Sequence, residues 1–235
     1  MSDAGDYPKP NEVRTILCLA NSRKLSGRCI AGREILNGRP GLWIRPVSNR
    51  EHQEVSLEER RYEDGRDPKV FDVIRIPLIE PCPHEYQQEN WLLDPGFYWR
   101  KTDKLDWTEL QDFVEPNSPL WLNHHSSYNG CNDRIPLEQA TGLRSSLRLI
   151  HLERLTIQVF CPGAAFGNPK RRVQGRFHYA GDTYHLWITD PVYETQYLGK
   201  PDGTHEIGEC CLTISLGEPY DGFVYKLIAT VIKRM

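Results

Sequence analysis

The run Leu42-Trp43-Ile44-Arg45-Pro46-Val47 sets an indole and a guanidinium two residues apart. In a strand, alternate side chains share a face, so Trp43 and Arg45 point the same way. Such a pair offers a stacking plane and a planar donor fork, suited to a base and its phosphate. It also fits a partly buried indole with an arginine laid over it as cover. Upstream, Asn21 to Arg28 joins two apolar runs through Ser22, Arg23 and Lys24. A polar, basic connection between strands is where ligands commonly meet small barrels, and an ordinary solvated turn has the same composition.

Tyr184 to Pro191 has a similar style, with His185, Trp187 and Thr189 on one strand face. Trp187 can stack on a base or pack in a core. His185 and Asp190 fall on opposite faces, which argues against a base and its orienter. Glu218, beside Gly217 and Pro219, reads either as a carboxylate for a ribose hydroxyl or exocyclic amine, or as part of a sharp strand end. His124, His125, Cys131 and Asp133 form the only local cluster of metal-ligand types, without paired CxxC or HExxH spacing, so no metal site is expected. GxGxxG, GxxxxGK[ST] and GxSxG are all missing, which leaves dinucleotide, P-loop and hydrolase-elbow chemistry without a foothold; no cofactor is expected.

The elements that must position these residues are mostly strands. Val13 to Ala20, Arg28 to Ile35, Leu42 to Val47 and Phe71 to Ile79 are apolar, β-rich runs separated by turn residues. A second set comprises Leu147 to Phe160, Val173 to Tyr179, Tyr184 to Asp190, Cys210 to Leu216 and Phe223 to Ile232. Ala180 to Thr183 predicts a tight hairpin. Ser56 with Glu59, and Asp106 with Glu109, predict two short capped helices. Between about residues 80 and 142 no alternation is sustained. The pattern predicts a mainly β chain: residues 1–105 as one small barrel, 106–144 as a helical or irregular connection, and 145–235 as a second barrel.

Composition limits the function classes. The 235 residues hold 39% hydrophobic and 26% charged side chains, the profile of a folded, water-soluble protein. No run approaches the roughly 18 apolar residues of a membrane span, and Met1 to Asp6 lack the layout of a signal peptide, so a cytoplasmic location and no membrane partner are expected. Seven cysteines, an odd number, argue against a disulfide framework. A net charge of −3 speaks against nonspecific coating of phosphate backbones, but the charge is segregated. Residues 11–50 hold eight Arg or Lys against two Glu, residues 141–176 hold seven against one, and residues 177–222 hold eight Asp or Glu against one Lys. The basic segments predict a groove shared by the opening strands of both halves, or solvated faces that pair across the interface.

Ile16 to Lys24, Gly27 to Gly32, Trp43 to Val47, Trp187 to Pro191 and Ser215 to Pro219 together resemble the bacterial dual OB domain family over nearly the whole chain. The resemblance implies two OB-type barrels in tandem and a nucleic-acid-binding role, in bacterial conflict and defence loci. It supplies no catalytic residue. The leading expectation is a module that binds single-stranded nucleic acid or a nucleotide through Ser22, Arg23, Lys24, Trp43, Arg45, Trp187, Asp190 and Glu218. One alternative is an enzyme acting on a nucleotide or a nucleic-acid modification, with Ser22, Lys24, Arg45, Asp190 and Glu218 gathered in a cleft. Another is a protein-interaction subunit of a multi-component system, marked by an exposed apolar patch.

Overall fold

The computed structural model describes residues 10–234; Met1 to Asp6, tested for a signal-peptide layout, and Met235 lie outside the described residues. In the first half, β1 (Glu12–Lys24), β2 (Gly27–Leu36), β3 (Arg39–Val47), β4 (Asp72–Pro81), β5 (Asn90–Leu93) and β6 (Arg100–Lys104) share one sheet. The order β1-β2-β3-β5-β4 returns to β1, so five strands close into a barrel, and β6 extends β4. Only β3 and β5 run parallel. This is the five-stranded Greek-key barrel of the OB type.

The second half repeats the plan. It contains β7 (Arg134–Pro136), β8 (Leu147–Leu152), β9 (Leu155–Phe160), β10 (Arg172–Tyr179), β11 (Asp182–Ile188), β12 (Gly203–Ile207), β13 (Cys210–Tyr220) and β14 (Phe223–Lys233). Strands β9-β10-β11-β14-β13-β8 follow the same order, with β11 and β14 parallel. The run from Leu147 to Phe160 is two strands and not one. Its break at Glu153 and Arg154 lets β8 pair with β13 while β9 pairs with β10, the double duty that β1 performs unbroken. In β1 a bulge between Cys18 and Ala20 does the bending, and both Leu19 and Ala20 then face away from the barrel interior.

Each barrel is filled by alternate residues of its strands: Ile16, Cys18, Ile30, Ile44, Ile74 and Ile76 in the first, and Leu155, Ile157, Leu186, Ile188, Ile214 and Ile228 in the second. A third cluster lies between the barrels. It joins Leu17, Leu19, Ala31 and Trp43 of the first to Leu147, Leu149, Cys211, Ala229 and Ile232 of the second. Thr213 Oγ1 donates to Leu19 O across this seam at 2.7 Å.

Short helices close the ends. Both capping boxes form, on α1 (Leu57–Arg60) and α2 (Trp107–Leu110). α3 (Leu137–Ala140) follows β7, and α4 (Pro191–Leu198) links β11 to the strands that follow. The Ala180-Gly181 turn takes φ values of 51° and 86°, the left-handed pair that a twisted two-residue hairpin requires. The stretch 80–142, where no alternation is sustained, holds β5 and β6 within the part assigned to the first barrel, and in the part expected as a connection β7 forms and pairs with β14. Among the described residues no helix is long and apolar enough to cross a membrane.

Candidate functional site

The two barrels can be aligned through their second strands. Gly32 in β2 pairs with Ile44, and Gly175 in β10 pairs with Leu186. Both glycines face inward at close approaches: a Cβ on Gly32 would lie 2.1 Å from the backbone Leu17 O, which cannot move aside, and one on Gly175 would lie 2.3 Å from Ile228 Cδ1, which would have to shift. In that alignment the outward residues Trp43 and Arg45 correspond to His185 and Trp187. The same face of the barrel therefore carries an indole and a basic side chain in both halves, with opposite fates.

In the first barrel this face is covered. Trp43 is 6% exposed, and its Nε1 donates to Glu115 Oε1 at 2.7 Å. The same carboxylate accepts from Arg33 at 3.2 Å and Arg148 at 3.0 Å, so the connecting segment ties both halves together through one residue. Arg45 is 4% exposed, paired with Glu89 at 3.2 Å and donating to Ser146 Oγ at 2.8 Å. As an open stacking platform this pair is corrected by the structure: the second barrel sits on it, and the guanidinium over the buried Trp43 ring is that of Arg33, 5.9 Å from the centroid, while Arg45 turns to Glu89 and Ser146.

In the second barrel the face is open. Outward positions on β9 are Thr156, Gln158 and Phe160; on β10, Arg172, Gln174, Arg176 and His178; on β11, Thr183, His185 and Trp187. None is acidic. Trp187 stacks on Phe160 with centroids 5.8 Å apart and planes 22° apart, and the Arg172 guanidinium lies 4.1 Å from the Trp187 centroid. His185 has its pKa lowered by burial and by nearby Arg176, so the positive charge of this face comes from its arginines.

A groove of about 780 Å³ runs over Trp187 and Arg172. One wall is the segment Ser127 to Asn129 and the other is the β9–β10 loop, including Gly163, Phe166 and Lys170. Tyr128 and Phe166 face each other across it at 6.1 Å, 84% and 76% exposed. Gln174 donates to Asn129 O at 2.6 Å and so pins the first wall to the floor. Beyond it, Arg176, His178 and His185 line a second open depression of about 990 Å³.

The basic segments meet at Glu115, where Arg33 and Arg148 share one carboxylate, and again at the β1–β2 turn. The β1–β2 turn brings Arg23 and Arg28 beside Lys170 and Arg171 around a depression of about 540 Å³. Arg23 is itself paired with Glu194. Much of the first segment's charge is answered by carboxylates, mostly from outside it: Arg14 pairs with Glu34, Arg33 with Glu115, Arg45 with Glu89 and Arg50 with Glu59.

This topology in duplicate coincides with a sequence match. The family model described as a dual OB-containing domain covers residues 14–231. The chain belongs to that family. No curated protein and no solved structure matches it.

Within this dual OB chain, five of the expected site residues converge at the seam. Ser22, Arg23, Lys24, Arg45 and Glu218 wall a cavity of about 210 Å³. Asp190 does not join them. Its Oδ1 caps α4, accepting from Val192 N at 2.9 Å and Tyr193 N at 3.2 Å, and its Oδ2 accepts from Val231 N at 3.1 Å. Asp190 is thus corrected to a helix cap, which the Asp-Pro start of the helix already spelled out. Glu218 does not follow a terminated strand, because β13 continues to Tyr220 through a bulge between Leu216 and Pro219. Phe160, Arg172, Arg176, Tyr128 and Phe166 carry no motif that singles them out in the sequence. Strand alternation placed Phe160 beside Trp187's face; only the fold could bring Tyr128 to Phe166.

Proposed function

We propose that this dual OB chain binds single-stranded nucleic acid across the outer face of β9, β10 and β11. The observation that carries the reading is the face around Trp187, whose outward side chains on β9, β10 and β11 include no carboxylate, with Glu194, paired to Arg23, at the edge of its groove; these are the strand positions through which OB barrels take oligonucleotides. Bases extend the stack that Phe160, Trp187 and the Arg172 guanidinium have begun, and Tyr128 and Phe166 supply a second aromatic pair above it. Arg172, Arg176 and Lys170 answer the backbone phosphates. The seven free cysteines suit a reducing, cytoplasmic setting, and the family resemblance supports a place in a bacterial defence system.

Equilibrium titration with mixed-sequence single-stranded DNA and RNA at low salt tests this. Saturable binding is expected, weakening as salt rises because phosphate contacts release counterions. Trp187→Ala is expected to weaken binding by about 1 to 3 kcal/mol, the range for one stacked base. Absence of saturable binding to either nucleic acid contradicts the reading.

A further inference from the structure

The seam cavity opens onto the groove: Arg23, Leu25 and Thr189 wall both. A strand lying over Trp187 is therefore next to a small cavity walled by both barrels. At about 210 Å³ the cavity is below the roughly 300 Å³ at which sites for whole small ligands begin, so it suits one chemical group of a longer ligand.

Its unmet hydrogen-bonding capacity identifies that group. Arg45 is 4% exposed, and while its Nη2 is engaged by Ser146 and Glu89, its Nε has no acceptor. Nε itself is enclosed by protein, so what Arg45 offers the cavity it walls is the positive charge of a guanidinium short of acceptors, which an anionic oxygen answers. Lys24 Nζ, with its side chain 15% exposed, has one ion-pair partner, Glu218 Oε1 at 2.7 Å, against a capacity of three bonds. That partner is a rim group whose side chain is 59% exposed, so it can turn out to solvent and leave Lys24 free.

We propose that the seam cavity receives the terminal phosphomonoester of a strand bound on the β9–β11 face, with Lys24 and Arg45 as donors and Glu218 as an acceptor that the phosphate displaces. The inference rests on the nucleic-acid reading of that face and adds end recognition to it. It also accounts for the sharing of the cavity between barrels: neither half alone presents both Lys24 and the rim of β13.

The experiment compares three oligonucleotides of one sequence, carrying a 5′-phosphate, a 3′-phosphate or hydroxyls at both ends, titrated against the whole chain and against Lys24→Ala and Glu218→Ala. One phosphorylated form is expected to bind about tenfold tighter than the unphosphorylated one, the scale of one charge-assisted hydrogen bond. Lys24→Ala is expected to erase that preference while leaving the unphosphorylated affinity in place, and Glu218→Ala to keep or enlarge it. Lys24→Gln, which retains a donor without the charge, checks that loss of preference is not misfolding; it should keep the unphosphorylated affinity too. Inorganic phosphate should compete with the preferred end only. Equal affinities for all three oligonucleotides, or a preference that survives Lys24→Ala, overturn end recognition and leave the face reading standing. Binding of none overturns the face reading itself, and end recognition with it.

Discussion

Trp43 and Trp187 stand in similar sequence surroundings, and substitution separates them. Trp43→Ala removes a buried ring and strands Glu115 without one of its donors, so a loss of about 3 to 5 kcal/mol of stability is expected in denaturant unfolding. Trp187→Ala is expected to leave the unfolding midpoint nearly unchanged by comparison and to act on ligand affinity. Arg45→Met is expected to cost about 3 to 5 kcal/mol, because it leaves Glu89 charged and buried; replacing Glu89 by Leu as well should recover much of that loss. Lys226 offers a titration test. It is buried, donates to Leu122 O and Asn123 Oδ1, and burial pulls its pKa down to about 7 in spite of nearby Asp133 and Asp182. The unfolded chain holds that proton up to about pH 10.4, so between about pH 7 and 10 the unfolded state binds more protons and stability should rise with pH. Urea unfolding at pH 7 and pH 9 should show a steeper rise for the wild type than for Lys226→Met, and equal slopes would contradict this assignment.

At the scale of elements, the second strand of each barrel depends on an inward glycine. Gly32→Ala drives a methyl group into the Leu17 carbonyl, which is backbone and cannot turn aside, so a loss of about 1 to 3 kcal/mol or more is expected in thermal or urea unfolding. Strands with strong β-branched alternation and both capping boxes were readable from sequence, since local periodicity and side-chain chemistry determine them. Strands β5 and β6 were not. β5 is four residues long, and β6, Arg100 to Lys104, is polar and exposed throughout, so its pairing with β4 leaves no periodic trace. The continuation of β13 past Gly217 was hidden because Gly and Pro ordinarily end a ladder, and here a bulge absorbs both. Of the residues the sequence singled out, Ser22, Arg23, Lys24, Arg45 and Glu218 are brought to one cavity and Trp187 to the groove beside it. Which tryptophan would be covered was not legible in the sequence, because it depends on how one barrel docks on the other.

That docking organises the whole molecule. The first barrel spends the face around Trp43 on the seam, and the second keeps the corresponding face around Trp187 open. Because Leu17, Leu19 and Trp43 pack against Leu149, Cys211 and Ile232, the barrels should unfold in one cooperative calorimetric transition; two resolved transitions would contradict a shared core. On the proposed function, a single face of the duplicated fold binds the strand. Hydrogen exchange with and without a saturating single-stranded oligonucleotide measures this directly. Added protection is expected in β10, β11, the β9–β10 loop and Ser127 to Asn129, with β2 and β3 outside the seam cavity unchanged. Protection centred on the first barrel, with β10 and β11 unaffected, would contradict it.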